Sequence, residues 1–542
     1  MNLKMRKLKF IITIIALSTV AIQGCKKEQT TFEDPYADAK SPLGIEINRS
    51  LAPVPANGES GTVVTFQARG LKQYEGKLKF MFNGEEGEVT EVTESTIKVK
   101  VPDAGSTGVT SISVSDQLVI GPIFTVNGLV NIDPSFRATA GTNGVVNQAY
   151  PLADGRYFVI GGFNNYDNKG TTTPLNRIVR VSADFEFDRT FRTGKGANGQ
   201  LSKIIEISNN KYVISGGFSG YGGRPDNISN ITTLNINGSI DTMGIKTYRR
   251  PGLLDTIKFF PRFNGGTNEY IDKIYKHQNK ILATGRFRYY VTRTYTEASY
   301  DFQRDTVILD STEIRQIVRF NLDGSLDKSF RFNATTNKGL PAANGPIDSY
   351  MHTTGALNEK LVIFGNFTTF DSSPANRLVR LNVDGGIDNT FNVGSGTDNS
   401  INYLTYNSVT KKYLITGAFR SYNGKPALGI ALLNEDGTLD ESFQAKSYEG
   451  GFYGFSKQLD NGWIVVSGSF KKYNNVTRSG FMIIDNKGDF VPKYNATGPF
   501  GGYLTDIVET KSADGKKALL LLGGYYRFDN LPVYNITRVT IE

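Results

Sequence analysis

Acid–base and nucleophilic chemistry would have to be built from little in this 542-residue chain, which holds two histidines, His277 and His352, and a single cysteine, Cys25. Neither histidine stands at metal-ligand spacing from another ligand-type residue or in a recognisable acid–base context, so a zinc or Ser-His-Asp mechanism has almost no material. Carboxylates are plentiful, and the 52 acids could supply the paired groups of a glycosidase. The most recognisable of them recur in one place, however. Asp323-Gly324, Asp384-Gly385 and Asp436-Gly437 occupy the same position of a repeated turn, where the pair answers to turn geometry and not to catalysis. These turns also lack the dense Asp/Asn spacing of an EF-type calcium loop. No catalytic residue, metal ligand or cofactor is expected.

The elements that would position a site are written as a repeat. "KYVISGGF" at 211–218 returns as "KYLITGAF" at 412–419. The shared kernel, Gly-x-Phe after an apolar run, recurs at Gly161, Gly216, Gly285, Gly365, Gly417 and Gly468, with a Tyr-ended version at Gly524-Tyr526. Successive glycines lie 55, 69, 80, 52, 51 and 56 residues apart. Between them stand "NLDGSLDKSF" (321–330), "NVDGGIDNTF" (382–391) and "NEDGTLDESF" (434–443), with echoes at Asp133 and Asp188. Strand-like runs joined by Asp-Gly and Asn-Gly turns, without a sustained helical period, make each unit a small antiparallel sheet. A lone unit cannot bury both of its faces; seven packed around an axis can, which predicts an all-β, seven-bladed β-propeller over residues 128–542. The kernel glycine is expected to permit close backbone approach near the axis, and the Phe to fill the space between blades. The segment "LVNIDPSF" at 129–136 is expected to pair with the last blade and close the ring.

The pairing of Asp-Gly-x-hydrophobic-Asp-x-x-Phe with a following Gly-x-Phe resembles the delta-60 family of bacterial propeller repeats. Blades two, three and seven depart from that pattern: Asp241 is followed by "TMG" with no Phe, and the last kernel reads Tyr525-Tyr526. Ahead of the repeats, short alternating runs between 43 and 127 predict an antiparallel β-sandwich. Pro53, "GTVVTFQARG" (61–70), "FMFNG" (80–84), "STIKVKVP" (95–102) and "FTV" (124–126) come in an order that resembles the IPT/TIG family of immunoglobulin-like domains. That resemblance implies a spacer or interaction module.

The first residues read as a processing signal. Lys4, Arg6, Lys7 and Lys9 precede an uncharged apolar run at 10–22, too short to span a bilayer comfortably. It ends in "AIQGC", which resembles a bacterial lipobox and implies lipidation of Cys25 after removal of residues 1–24. Residues 25–42 are polar with two prolines and are expected to be a flexible tether. Acidic residues at 28, 33, 34 and 38 are compatible with export to the cell surface, so the expected address is the outer membrane, held through the lipid. With its one cysteine committed, the exported chain has no disulfide, and its fold rests on the core. The net charge of +9, less the four basic residues of the signal, is +5, and it is dispersed. No nucleic-acid partner is expected.

Candidate ligand contacts come from departures from the repeat. Seven residues before the kernel Phe, the blades carry Arg156, Lys211, Lys280, Lys360 and Lys412, then Trp463, then Leu519. Since unpaired cations are seldom buried, Trp463 is expected to be exposed and available for stacking, with packing beside Tyr453 or Phe455 as the alternative. The insertion at 288–311 gathers Tyr289, Tyr290, Tyr295, Tyr300 and Phe302 with Arg293 on a long hairpin, expected to wall a binding site or to pack on the neighbouring insertion at 248–263. Anchor, spacer and propeller together resemble the lipoproteins of Bacteroidetes-type glycan-uptake systems. That likeness implies a non-catalytic glycan-binding protein with outer-membrane uptake proteins as possible partners. A propeller glycosidase or lyase and a protein-binding scaffold or adhesin stay open beside it.

Overall fold

Strands built from the apolar runs make up nearly all regular structure of the computed structural model, which describes residues 41–224, 227–247, 256–295 and 307–542. The signal, Cys25 and most of the tether lie outside these residues, as do Tyr300 and Phe302.

The first domain is a rolled sheet, antiparallel but for the short edge strand Asn57–Gly58, which pairs in parallel. Val63–Arg69 and Thr96–Lys100 form one layer, and Lys79–Phe82, Gly108–Val114 and Gln117–Val126 the other. The strand Glu85–Val92 pairs with both. Alternation sends Phe66, Phe80, Phe82 and Phe124 inward, with Phe66 and Phe80 ring centroids 4.6 Å apart.

Seven antiparallel sheets follow. Their inner strands are Val146–Pro151, Gln200–Ser208, Ile271–His277, Ile347–Met351, Ile401–Asn407, Tyr453–Gln458 and Gly501–Lys511, and we number the blades 1 to 7 in that order. Each inner strand packs beside those of its two neighbours, and blade 7 packs on blade 1. The ring is closed as the sequence predicts: Asn131–Ile132 adds to the outer strand Ile536–Thr540 of blade 7, and Asp133 Oδ2 meets the Arg538 guanidinium at 2.5 Å. One apolar layer lies between every pair of neighbours, and each kernel aromatic sits in such a layer. This is the burial that a single sheet could not achieve alone.

Two expectations change in detail. The kernel glycine makes its close approach within its own blade: a Cβ on Gly417 would stand 2.1 Å from the carbonyl oxygen of Ser400, just ahead of the inner strand of the same sheet. In blade 7 the register places Gly523 opposite Leu504 and buries Tyr525, so the kernel there is Gly523-x-Tyr525 and Tyr526 points out. In the repeated turn the left-handed residue is the glycine, as at Gly385 with φ +89°, while Asp384 Oδ1 accepts from the Gly386 N–H at 2.9 Å.

The upper face of the ring is the end where inner strands begin and middle strands finish. The sandwich meets blade 6 there. Thr107 N–H donates to Ala496 O at 2.8 Å, Leu129 N–H to Lys493 O at 2.9 Å, and Arg478 to Ala104 O at 3.0 Å.

Candidate functional site

On the lower face, the cation column is a set of ion-paired anchors. Lys360 Nζ lies 2.7 Å from Asp388 Oδ2, and Arg380 Nε approaches the same oxygen at 2.7 Å. Thr390 caps the other carboxylate oxygen, and the Arg380 guanidinium lies 4.5 Å over the Phe391 ring. Burial alone would raise the Asp388 carboxyl, but hydrogen bonds from Lys360, Thr390 and Arg380 hold it well below the ordinary carboxylate range. Blades 1 and 3 repeat the arrangement at Asp188 and Asp327. Asp241, without its Phe, still pairs with Lys211 at 2.9 Å. The second Asp of the repeat is thus a structural anchor.

Trp463 is therefore corrected from exposed platform to packing residue. Val491 stands where Asp388 does, as the N–H of each donates to the third strand, to Ile483 O and Arg380 O respectively. In blade 6 the three charged positions have become Trp463, Ile483 and Val491. The indole is half-buried against that apolar layer and meets the Tyr494 ring edge-on at 4.6 Å. Both histidines also serve packing: His352 Nε2 bonds the Tyr413 hydroxyl at 2.6 Å, and His277 is buried beside Arg319 and Phe330.

The hairpin of blade 3 is divided. Tyr290 is buried and donates to Gly324 O at 3.2 Å, so it is not a ligand contact. Tyr295 stacks on Phe260 at 4.1 Å, which is the packing on the neighbouring insertion that the sequence offered as the alternative. Arg293 is partly buried, and its backbone is held by the Asn264 side chain. Tyr289 alone of the described hairpin tyrosines is exposed, with Arg288 over its ring at 5.8 Å.

A different aromatic group faces solvent on the upper face. In blades 1 to 5 an Asn or Asp ahead of the inner strand accepts two backbone N–H groups from the loop after the kernel; Asn344 Oδ1, for example, takes those of Thr368 and Thr369. Blades 6 and 7 replace that clip with Gly450-Gly451 and Gly501-Gly502, each followed by an exposed aromatic, Phe452 and Tyr503. Tyr503 lies over Gly524, whose Cβ would stand 2.6 Å from its ring, and Tyr526 lies over Gly501 in the same manner at 2.7 Å. Beside them, a cleft of about 520 Å³ opens along the seam of blades 7 and 1. Its walls include the rings of Tyr526, 59% exposed, and Tyr534, 45% exposed, with Asn143, Asn165 and Asn168 across from them. Asn165 Oδ1 accepts from Gly170 N–H, and its amide N–H₂ is without a partner among the described residues, while Asn168 is exposed.

A second upper-face cleft, about 590 Å³, spans blades 3 to 5 and contains Asp272, Arg286, Asp348, Asn366 and Asn402. Burial, and then the Asp348 charge, push the Asp272 carboxyl up to about 6. Its Oδ2 has no hydrogen-bond partner, and Arg286 comes no nearer than 3.8 Å. Among the described residues no group of three or more His, Cys, Asp and Glu is placed to hold a metal ion. Tyr526, Tyr534 and Asp272 escape a sequence reading made blade by blade; aligning the blades on the inner strand would have exposed the Gly-Gly-aromatic pair.

A β-sandwich followed by a closed seven-bladed propeller is the class that this fold defines. Comparison with protein families agrees on the propeller: residues 315–330, 358–391 and 411–443 match a domain of unknown function described as the DUF5122 beta-propeller, while residues 22–122 match another domain of unknown function, DUF5008. The three propeller segments finish on Phe330, Phe391 and Phe443, the ends of the repeated Asp-x-x-Phe units. No curated protein matches the chain. Among solved structures it is similar to a protein of unknown function from Bacteroides thetaiotaomicron, at 12% identity over 93% of this chain and 99% of that one, with a TM-score of 0.26. It is also similar to an auxiliary nutrient binding protein of the same organism, at 9% identity over 91% and 99%, TM-score 0.33. The Cps50 (Swd1) beta-propeller domain from Myceliophteria thermophila gives 10% identity over 76% and 100%, TM-score 0.35. Likenesses this distant leave the function to be argued from the molecule itself.

Proposed function

We propose that this protein is a lipid-anchored, non-catalytic binding protein that holds a glycan on the upper face of its propeller. The observation that carries the reading is the seam cleft, which brings the exposed Tyr526 and Tyr534 together with the Asn165 amide N–H₂, without a partner among the described residues, and the exposed Asn168. A sugar offers an apolar C–H face to an aromatic ring and vicinal hydroxyls to a carboxamide, and the cleft supplies both partners in a concave site. Lipidation at Cys25 would hold the molecule at the outer membrane, the IPT/TIG-like sandwich serving as spacer, and uptake proteins of that membrane would be its partners. The test is a glycan array with protein lacking residues 1–25, followed by calorimetry on the sugar it returns. Loss of one stacking platform in Tyr526→Ala should weaken binding by about 1–3 kcal/mol, by analogy with base stacking. Unchanged affinity in both Tyr526→Ala and Tyr534→Ala rejects the site. For the anchor, Cys25→Ser protein that still incorporates labelled fatty acid rejects lipidation.

A second reading has its own observation. Asp272, with its carboxyl raised into the range of a general acid, shares an open cleft with a second carboxyl, Asp348, an arrangement that suits glycoside cleavage. Release of reducing ends from an array-positive glycan, abolished by Asp272→Asn, would favour an enzyme over a binder.

A further inference from the structure

The ring closes around a set of charges, of which Asp348 also lines the second upper-face cleft. Alignment on the kernel glycines puts Lys203 of blade 2, Lys273 of blade 3 and Asp348 of blade 4 at one position of the inner strand, opposite Ser215, Thr284 and Phe364, with Asp506 of blade 7 opposite Leu522. Lys457 of blade 6 joins them. Two pairs form: Lys273 Nζ lies 3.6 Å from Asp348 Oδ2, and Lys457 Nζ lies 3.3 Å from Asp506 Oδ1 and also donates to Ile507 O. Lys203, partly buried, is left over, with no ion pair or side-chain hydrogen bond among the described residues. Three ammoniums thus face two carboxylates, and Asp272 with its nearby Arg286 adds one charge of each sign, so one positive charge is in excess.

We propose that Lys203 anchors an anion site on the propeller axis, taking the carboxylate of a small organic acid, of which a uronic acid is the class that a glycan would present. An ammonium surrounded by partly dehydrated walls attracts a carboxylate far more strongly than a solvated lysine does. The neighbouring pairs are spent on each other, so the incoming group meets one uncommitted donor instead of a neutralised ring. The site is separate from the seam cleft. Burial above all, then the Lys273 charge and least that of Lys457, set against the opposing fields of Asp506 and Asp348, leave the Lys203 ammonium titrating at about 8. Lys273, by contrast, is kept above the ordinary lysine value by Asp348 in spite of its burial, and Asp506 is kept ionised by Lys457 and Lys203. A bound carboxylate needs charged Lys203 and its own charge, so affinity is full between about pH 5 and 8 and falls above pH 8, up to tenfold per pH unit.

Glucuronate and glucose, titrated into the whole protein lacking residues 1–25 and followed by the lysine Nζ resonances, test this directly. Glucuronate should shift the Lys203 signal and raise its pKa, with glucose inert at the axis. Lys203→Met should weaken glucuronate at least tenfold, and Lys203→Arg should hold it within a few-fold. Acetate binding as tightly as glucuronate would assign the site to the carboxylate alone. A Lys203 signal unmoved by about 50 mM glucuronate, well above the weakest millimolar affinities of interest, overturns the proposal, as does equal glucuronate affinity in wild type and Lys203→Met. Tyr526→Ala serves as the control: it removes the seam cleft and should leave the axial titration unchanged.

Discussion

Blades 4 and 6 solve one packing problem with opposite chemistry. In blade 4 the space under the outer strand holds Lys360, Arg380 and Asp388, with both cations paired to the one carboxylate. In blade 6 the equivalent residues are Trp463, Ile483 and Val491, and nothing there is charged. A buried ion cluster recovers by mutual attraction what it loses on leaving water, so its members stand or fall together; an apolar set recovers its stability piecemeal, through area. The three positions must change jointly or not at all. That is why a tryptophan in a lysine's place signals a rebuilt anchor and not a new ligand contact.

The most damaging way to break the comparison is to remove one charge. Asp388→Ala leaves Lys360 and Arg380 unpaired in a buried setting and should cost about 3–5 kcal/mol, measured as a fall in the urea midpoint. Trp463→Ala removes packing without stranding a charge and should cost less, about 2–3 kcal/mol for a half-buried indole; a cost near zero would return Trp463 to the surface. Acid should separate the two anchors next. His352 bonds Tyr413, which also receives a hydrogen bond from Arg380, and burial together with that guanidinium pushes the imidazole down to about 4. Its folded pKa lies below the unfolded one, so the unfolded chain takes up the proton first as pH falls from 6.5 toward 4 and stability drops with it, by about 2 kcal/mol at pH 4.5. The stability gap between wild type and His352→Gln should therefore narrow from pH 7 to 4.5. The smallest effect is expected from exchanging the whole set: Lys360→Trp with Arg380→Ile and Asp388→Val should fall within about 1 kcal/mol of wild type, far milder than Asp388→Ala alone.

Duplication made the architecture legible. Gly417 and Phe419 can be read against Gly216 and Phe218 because every blade needs the same close approach and the same interblade filler. Reading failed where one residue was taken by itself. Tyr525-Tyr526 offers two registers that differ by a flip of the strand, and only the pairing of Gly523 with Leu504 decides between them. Trp463 misleads until Ile483 and Val491 are read with it. Lys203 looks like any lysine on a strand, since its lack of a partner arises from residues of blades 3, 4, 6 and 7 that meet only when the ring is complete.

Closure by residues 131–132 on residues 536–540 also sets an order of events in time. The strand that completes blade 7 is made near the start of the propeller and its partner near the finish, about four hundred residues later, which at ordinary synthesis speeds is a delay of roughly 20–80 s. Through that interval blades 1 to 6 can gather layer by layer from local pairings, while the flank of blade 1 that belongs against blade 7 stays bare. A chaperone that shields one sheet face until the last blade is made would serve this chain better than one that hastens any single hairpin, because the slowest step joins the two most distant parts of the ring.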